Sequence, residues 1–385
     1  MKTYSPVEMI EKLVSFDTVS RHSNMALIDF VRDYLSGFGV ESHLVPNEDG
    51  SKANLYATVG PNVTGGVVLS GHTDVVPVDG QPWDTDPFKI VEKDGKLFGR
   101  GTCDMKSFIA IALSKVPEML SKDIAAPIHF AFSYDEEVGC AGAPPMIREM
   151  AEKVPQPRAA IIGEPTNMEI VNAHKGVNGF KTTVIGHEAH SSQVHRGVSA
   201  VMTAAKLINF LDCMMAENRA RADASNGFEP PFSTLHVGQV NGGTALNIIS
   251  RKCEFVWDVR NIPEDDPFAF VERFEQYANE ELLPGMRAIA PECSITTERT
   301  SSAPAMRPEE NGAAEELCKH LTGRNSVSVV PYATEAGQFQ EVGYSTIVCG
   351  PGSIDQAHQP NEFIEKSQVT ECEQFLGRLI DHLAR

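Results

Sequence analysis

Short, unbroken apolar runs separated by helical stripes constrain this chain more than any other feature of its sequence. Leu55-Tyr56-Ala57-Thr58-Val59, Gly66-Val67-Val68-Leu69-Ser70, Ile128-His129-Phe130-Ala131-Phe132 and Ala159-Ala160-Ile161-Ile162 have the length and character of strands. Ile28, Val31, Leu35 and Phe38 form a helical stripe that stops at Gly39. Met105, Phe108, Ile109, Ala112, Leu113, Val116 and Leu120 recur at helical spacing and predict one helix through Leu120. Ser5-Pro6-Val7-Glu8 predicts a helix start, with Ser5 as cap, Pro6 at the first position and Glu8 closing a capping box. Strands that are apolar throughout lack a wet face, so the sheet is buried on both sides. That is the mark of an α/β domain with a mostly parallel sheet flanked by helices.

Near Gly176 the texture changes. A strand (Phe180 to Ile185), a helix (about 199–215), two strands (Leu235 to Val237 and Glu254 to Val259), a helix from Pro267 to about Leu282 and a strand at Cys293 to Arg299 follow in turn. This β-α-β-β-α-β order predicts a small ferredoxin-like α+β domain with two helices on one face. At 385 residues the chain is too long for one ordinary core. The expected division is a catalytic domain of 1–175 and 300–385 with an inserted lid or dimerisation domain of 176–299.

Other chemistries are set aside by composition. The net charge of −19 argues against a nucleic-acid partner, which requires clustered Lys and Arg. No apolar run reaches the roughly 18 residues of a membrane helix, and no signal-peptide pattern opens the chain. The eight cysteines form neither a C-x-x-C pair nor a disulfide rhythm, which agrees with a reducing, cytoplasmic setting.

The apolar runs end in metal-ligand residue types. His72 and Asp74 follow the second run, and Asp135-Glu136-Glu137 follow the third. Glu164 follows the fourth, and His358 comes after Ile347-Val348-Cys349. Asp104 stands between glycines and a helix start. Singly, each has an ordinary explanation: a polar pair at a strand end, an exposed acidic turn, an N-cap aspartate. Together they place acids and histidines where open α/β sheets bind ligands. A mixed His/carboxylate set without thiolates suits Zn²⁺, Co²⁺ or Mn²⁺.

The segments G-H-T-D-V-V-P (71–77), G-R-G-T-C-D-M-K (99–106), D-E-E-V-G (135–139), G-E-P-T (163–166) and A-H-Q-P-N-E (357–362) resemble the motifs of the dinuclear zinc aminoacylase and carboxypeptidase family. In order and spacing they cover nearly the whole chain. The resemblance implies a zinc-peptidase-like fold holding two divalent ions, Zn²⁺ by preference with Co²⁺ able to substitute. His72, Asp104 and Glu164 would hold one ion; Glu137, His358 and the shared Asp104 the other. Asp74 would orient His72, and Glu136 would be the general base. The Asp104–Met105 peptide would be cis. His190, in Gly186-His187-Glu188-Ala189-His190-Ser191, resembles the family's oxyanion donor, delivered to a partner's site in a homodimer. Asn247 and Arg260 match positions that bind the substrate carboxylate, and Glu335 is a candidate partner for a substrate ammonium.

The implied reaction is hydrolysis of an acylated amino acid, N2-acetyl-L-ornithine foremost, as a step of arginine biosynthesis. Succinyl-diaminopimelate and acetylcitrulline are alternative substrates on the same scaffold. A non-catalytic binding protein and a cysteine amidase using Cys103 or Cys140 are readings from other classes; neither cysteine has a neighbouring histidine to serve as its base.

Overall fold

The structure, a computed structural model, describes residues 2–384. Its strands are β1 (Ser42–Pro46), β2 (Ala53–Val59), β3 (Val67–His72), β4 (Val91–Lys93), β5 (Lys96–Phe98), β6 (Ile128–Ser133), β7 (Ala159–Pro165) and β8 (Val171–His174). There follow β9 (Val177–Ile185), β10 (Thr234–Gly242), β11 (Lys252–Arg260), β12 (Ser294–Ala303), β13 (Ser328–Val330), β14 (Thr346–Gly350) and β15 (Phe363–Glu365). The helices are α1 (Pro6–Val14), α2 (Met25–Gly37), α3 (Lys106–Ser114), α4 (Val116–Ser121), α5 (Ala143–Lys153) and α6 (Ala200–Ala220). The remaining ones are α7 (Pro267–Gln276), α8 (Leu283–Ile289), α9 (Ala313–Thr322), α10 (Ala336–Glu341) and α11 (Lys366–Leu383).

Two compact units emerge. The first comprises the chain up to Ala173, Met306–Val329, and Thr334 onward; the second is His174–Ala305 with Val330–Ala333. In the first, an eight-stranded sheet runs β1-β2-β6-β3-β7-β14-β8-β13. Its centre is parallel: β3 pairs with β6 and β7, and β7 with β14, all in one direction. Antiparallel pairing of β1 with β2, β2 with β6, and β14 with β8 flanks that centre. Strands β3, β6, β7 and β14 are buried along their whole length, as their unbroken apolar runs require. Helix α1 begins with the expected capping box, the Ser5 hydroxyl accepting from the Glu8 N–H and the Glu8 carboxylate accepting from the Ser5 N–H.

Two helix expectations are corrected, one in each unit. The helix read through Leu120 is two helices, because the chain leaves the first at Lys115 and Pro117, which has no N–H to donate, sits at the start of the second.

The second unit is a four-stranded antiparallel sheet in the order β10-β11-β9-β12, with connections β9-α6-β10-β11-α7-α8-β12. Its core joins Phe180, Trp257 and Phe274 from the sheet and α7 to Leu207 and Leu211 from α6. The helix from Pro267 ends at Gln276, passes through a π-type turn over 277–282 and restarts as α8, whose Pro284 cannot continue the preceding hydrogen-bond ladder.

Candidate metal centre

Parallel strands put their carboxyl ends on one edge, and that edge collects the acids and histidines. β3 delivers His72 as its last residue, and β7 delivers Glu164 next to its end. The segment after β6 supplies Glu136 and Glu137, the loop after β14 supplies His358, and Asp104 lies in the turn before α3. The Asp104–Met105 peptide is cis.

The six side chains meet. Asp104 turns one oxygen to each histidine: Oδ1 lies 2.9 Å from His72 Nε2, and Oδ2 3.3 Å from His358 Nε2. His358 Nε2 is also 2.9 Å from Glu137 Oε2. His72 Nε2 lies 3.6 Å from Glu164 Oε1 and 4.0 Å from Glu136 Oε2. Two overlapping ligand groups result, His72–Glu136–Glu164 and His72–Asp104–Glu137, with the donor atoms of each within 4.8 Å of one another.

Asp74 acts differently from the expectation that its carboxylate orients His72. The His72 Nδ1 lies 2.9 Å from the Asp74 backbone carbonyl, whereas the carboxylate is 3.7 Å away. That carboxylate instead accepts the N–H groups of Glu136 and Glu137 at 3.2 and 3.3 Å and the Ser20 hydroxyl at 2.7 Å. One residue therefore steers the imidazole through its main chain and the two glutamates through its side chain. Ser20 and Cys140, whose thiol donates to Glu136 Oε1 at 3.2 Å, are neighbours that the motifs alone leave without a role.

Four buried carboxylates at such distances repel unless a cation compensates. Burial pushes Glu136 up to about 8 and Glu137 up to about 7, and the Asp104 charge adds to both. Burial and Asp104 likewise hold Glu164 well above the usual carboxylate range. Burial pulls His72 down, but Glu164, Asp104 and Glu136 outweigh it and hold the imidazole well above its ordinary value. Hydrogen bonds to Asp104 and Glu137 push His358 up to about 10. The donor set is thus rich in oxygen, supplemented by two imidazoles, and short of positive charge. It fits divalent cations.

Glu335 belongs to the same unit but points inward. It is 1% exposed, with Oε2 3.5 Å from the Ser70 hydroxyl and no hydrogen-bond partner for Oε1 among the described residues. Burial raises it to about 7. The remaining expected residues lie in the second unit. There His190 and Asn247 are neighbours: the Ser191 N–H donates to the Asn247 carbonyl at 2.9 Å, and His190 bridges to Ile248. The exposed His190 ring places Nδ1 2.8 Å from the Ser192 hydroxyl. Arg260 ends β11, partly exposed, with Nε 3.6 Å from Asp258.

Known proteins share this framework. Residues 68–382 match the model of peptidase family M20/M25/M40. A protein of Myxococcus xanthus named acetylornithine deacetylase is 35% identical over 380 residues, covering 97% of this chain and 96% of its own. One of the same name from Proteus mirabilis is 33% identical over 384 residues, covering 98% and 96%. Among solved structures, the aminopeptidase PepT of Bacillus cereus superposes with a TM-score of 0.76 at 19% identity, covering 99% of this chain and 98% of its own. A Bacillus subtilis protein described as a dinuclear metal-binding peptidase superposes with a TM-score of 0.66 at 15% identity, covering 98% and 97%. On the family match and the near full-length identity, this chain belongs to peptidase family M20/M25/M40.

Proposed function

We propose that this chain hydrolyses N2-acetyl-L-ornithine to acetate and L-ornithine, the deacetylation for which its relatives are named, and that it does so as a step of arginine biosynthesis. Within that reading it is a metal-dependent amide hydrolase holding two divalent ions, zinc by preference. The observation that carries the two-ion reading is the Asp104 carboxylate, which presents one oxygen to the His72 side and the other to the His358 side. His72, Asp104 and Glu164 would hold one ion, and Asp104, Glu137 and His358 the other.

Bound there, divalent ions supply Lewis acidity that polarises the scissile carbonyl and lowers the pKa of water. Glu136 is the general base. Its carboxylate is buried and stands 4.0 Å from His72, within reach of a water held among the ligands. It takes the proton of the attacking water and returns it to the leaving amine. Asp74 fixes the Glu136 and Glu137 backbone, so the base and its neighbouring ligand keep a set spacing.

His190 is the donor for the developing oxyanion, and Arg260 with Asn247 receives the substrate carboxylate. Glu335, buried behind the strand ends beside Ser70, is the candidate partner for the ammonium of the ornithine side chain. The chain works as a homodimer formed through its second unit. Strand β10 is one edge of that unit's sheet, so its outer backbone groups are available for pairing, and Val240 on it and Leu246 beyond it are exposed apolar side chains. No helix among the described residues is long and apolar enough to cross a membrane.

The test is comparative turnover on acetylornithine, acetylcitrulline and succinyl-diaminopimelate. Acetylornithine is expected to give the highest kcat/KM. Acetylornithine running well behind either competitor overturns the substrate assignment while leaving the metal centre intact.

A further inference from the structure

The ligands differ in how they are held. His72 and Glu164 sit on β3 and β7, whose ladder hydrogen bonds set their positions. Asp104 and His358 sit on loops, the latter at a φ of 63°. Something other than a strand must hold them.

Behind both loops lies Glu362, which is 1% exposed. Its Oε1 accepts the backbone N–H of Cys103 at 2.7 Å and of Asp104 at 3.1 Å. Its Oε2 accepts the Gly101 N–H at 3.1 Å and the Arg100 Nη1 at 2.7 Å. Amides ahead of α3, which no turn of helix can satisfy, are thereby taken up by a carboxylate from the far end of the sequence. Arg100, also 1% exposed, donates through Nη2 to Gln81 Oε1 at 2.6 Å. Gln81 in turn donates through Nε2 to the His358 carbonyl at 2.9 Å. The Trp83 indole donates to the same Gln81 oxygen at 3.1 Å, and its ring lies 5.2 Å from the Arg100 guanidinium. One chain of contacts thus runs from Asp104 through Glu362, Arg100 and Gln81 to His358.

A fully buried ion pair is a poor way to stabilise a fold, since desolvation offsets most of its attraction. What it does well is fix geometry, the more so when its carboxylate fills every acceptor direction. We propose that Glu362, with Arg100 and Gln81, is the positioning device for the loop-borne ligands Asp104 and His358, and that it governs binding of the ion shared by Glu137 and His358. The inference rests on the two-ion reading above. It separates the two ions: the one held by the strand-borne His72 and Glu164 depends on this device far less.

Titration of the metal-free protein with Zn²⁺ by calorimetry, and with Co²⁺ by visible absorption, tests it without reference to activity. The unaltered protein is expected to bind two ions. In Glu362→Gln the second ion weakens by about 10–100-fold, the usual effect of losing a group that orients a ligand, while the first, which shares Asp104 but keeps its strand-borne His72 and Glu164, weakens far less. Gln81→Ala removes the link to the His358 carbonyl and the Arg100 and Trp83 contacts to the same side chain but leaves the Glu362 bonds to Asp104 in place, so it weakens the second ion by less and alters its Co²⁺ spectrum. Near-UV circular dichroism establishes whether Glu362→Gln folds; if it does not, Gln81→Ala decides. Unchanged affinity for the second ion in Gln81→Ala, or equal weakening of both ions in Glu362→Gln, overturns the inference. An unaltered protein that binds a single ion overturns the two-ion reading instead.

Discussion

Removing the Glu136 side chain separates the chemistry of this site from its ability to hold metal. The Glu136 N–H, which Asp74 accepts, survives a change to alanine, and the contacts among His72, Asp104, Glu137 and His358 do not pass through the Glu136 carboxylate. What disappears is the proton acceptor. A positioned general base contributes typically 100- to 10,000-fold, so Glu136→Ala should lower kcat by about that factor, or roughly 3–5 kcal/mol of barrier. Glu136→Asp keeps the acid but withdraws it by about one carbon–carbon bond, ~1.5 Å, and a misplacement of that order costs about 100-fold. Acetate release from acetylornithine, measured on protein whose ion content is checked by atomic absorption, reads both effects. A fully loaded alanine variant working within tenfold of the unaltered enzyme would refute the assignment.

Other perturbations reach other parts of the account. Gly163→Ala adds a Cβ 2.0 Å from the Phe108 ring, one residue from Glu164, and should lower stability by about 1–3 kcal/mol in thermal melts; an unchanged Tm contradicts the packing. His129 is fully enclosed, and burial pulls it from 6.5 down to about 4, so the unfolded chain binds its proton more readily. Its contribution is complete above pH 6.5 and is lost as pH falls from there toward 4, roughly 3 kcal/mol in all. Urea titrations of His129→Gln should therefore show a flatter decline across that window, and an identical decline removes His129 as the cause. Arg260→Lys, which gives up a two-pronged grip on carboxylate, should raise KM about tenfold with kcat little changed; a fall in kcat alone would place Arg260 elsewhere in the reaction.

Much of this molecule can be read before any coordinates are known. Runs such as Ile128–Phe132 announce a strand wet on neither face, and the acids and histidines that follow such runs announce the edge where ligands gather. Motif resemblance then sorts His72, Asp104, Glu136, Glu137, Glu164 and His358 into roles that spacing alone leaves open. What stays hidden is tertiary. The segment around Glu362 does not by itself reveal which backbone its carboxylate receives, and the amides come from a loop 258 residues away. The available signal was an acid closing the A-H-Q-P-N-E segment beside a glycine-bounded aspartate loop with amides in need of acceptors. Asp74 misleads for a related reason: its alternation with His72 suggests a side-chain contact, but the turn after β3 brings the main-chain carbonyl to the imidazole. A helix break also stays hidden where a single proline outweighs a continuous apolar stripe, as at Pro117.

The central claim is that Asp104 joins two ions. The most direct measurement is a crystal structure of the zinc-loaded protein with bound ornithine, its ions identified by anomalous scattering. The account predicts two ions, one ligated by His72 and Glu164 and the other by Glu137 and His358, with one oxygen of Asp104 on each. A single ion at full loading, or two ions with Asp104 bound to only one of them, would contradict it.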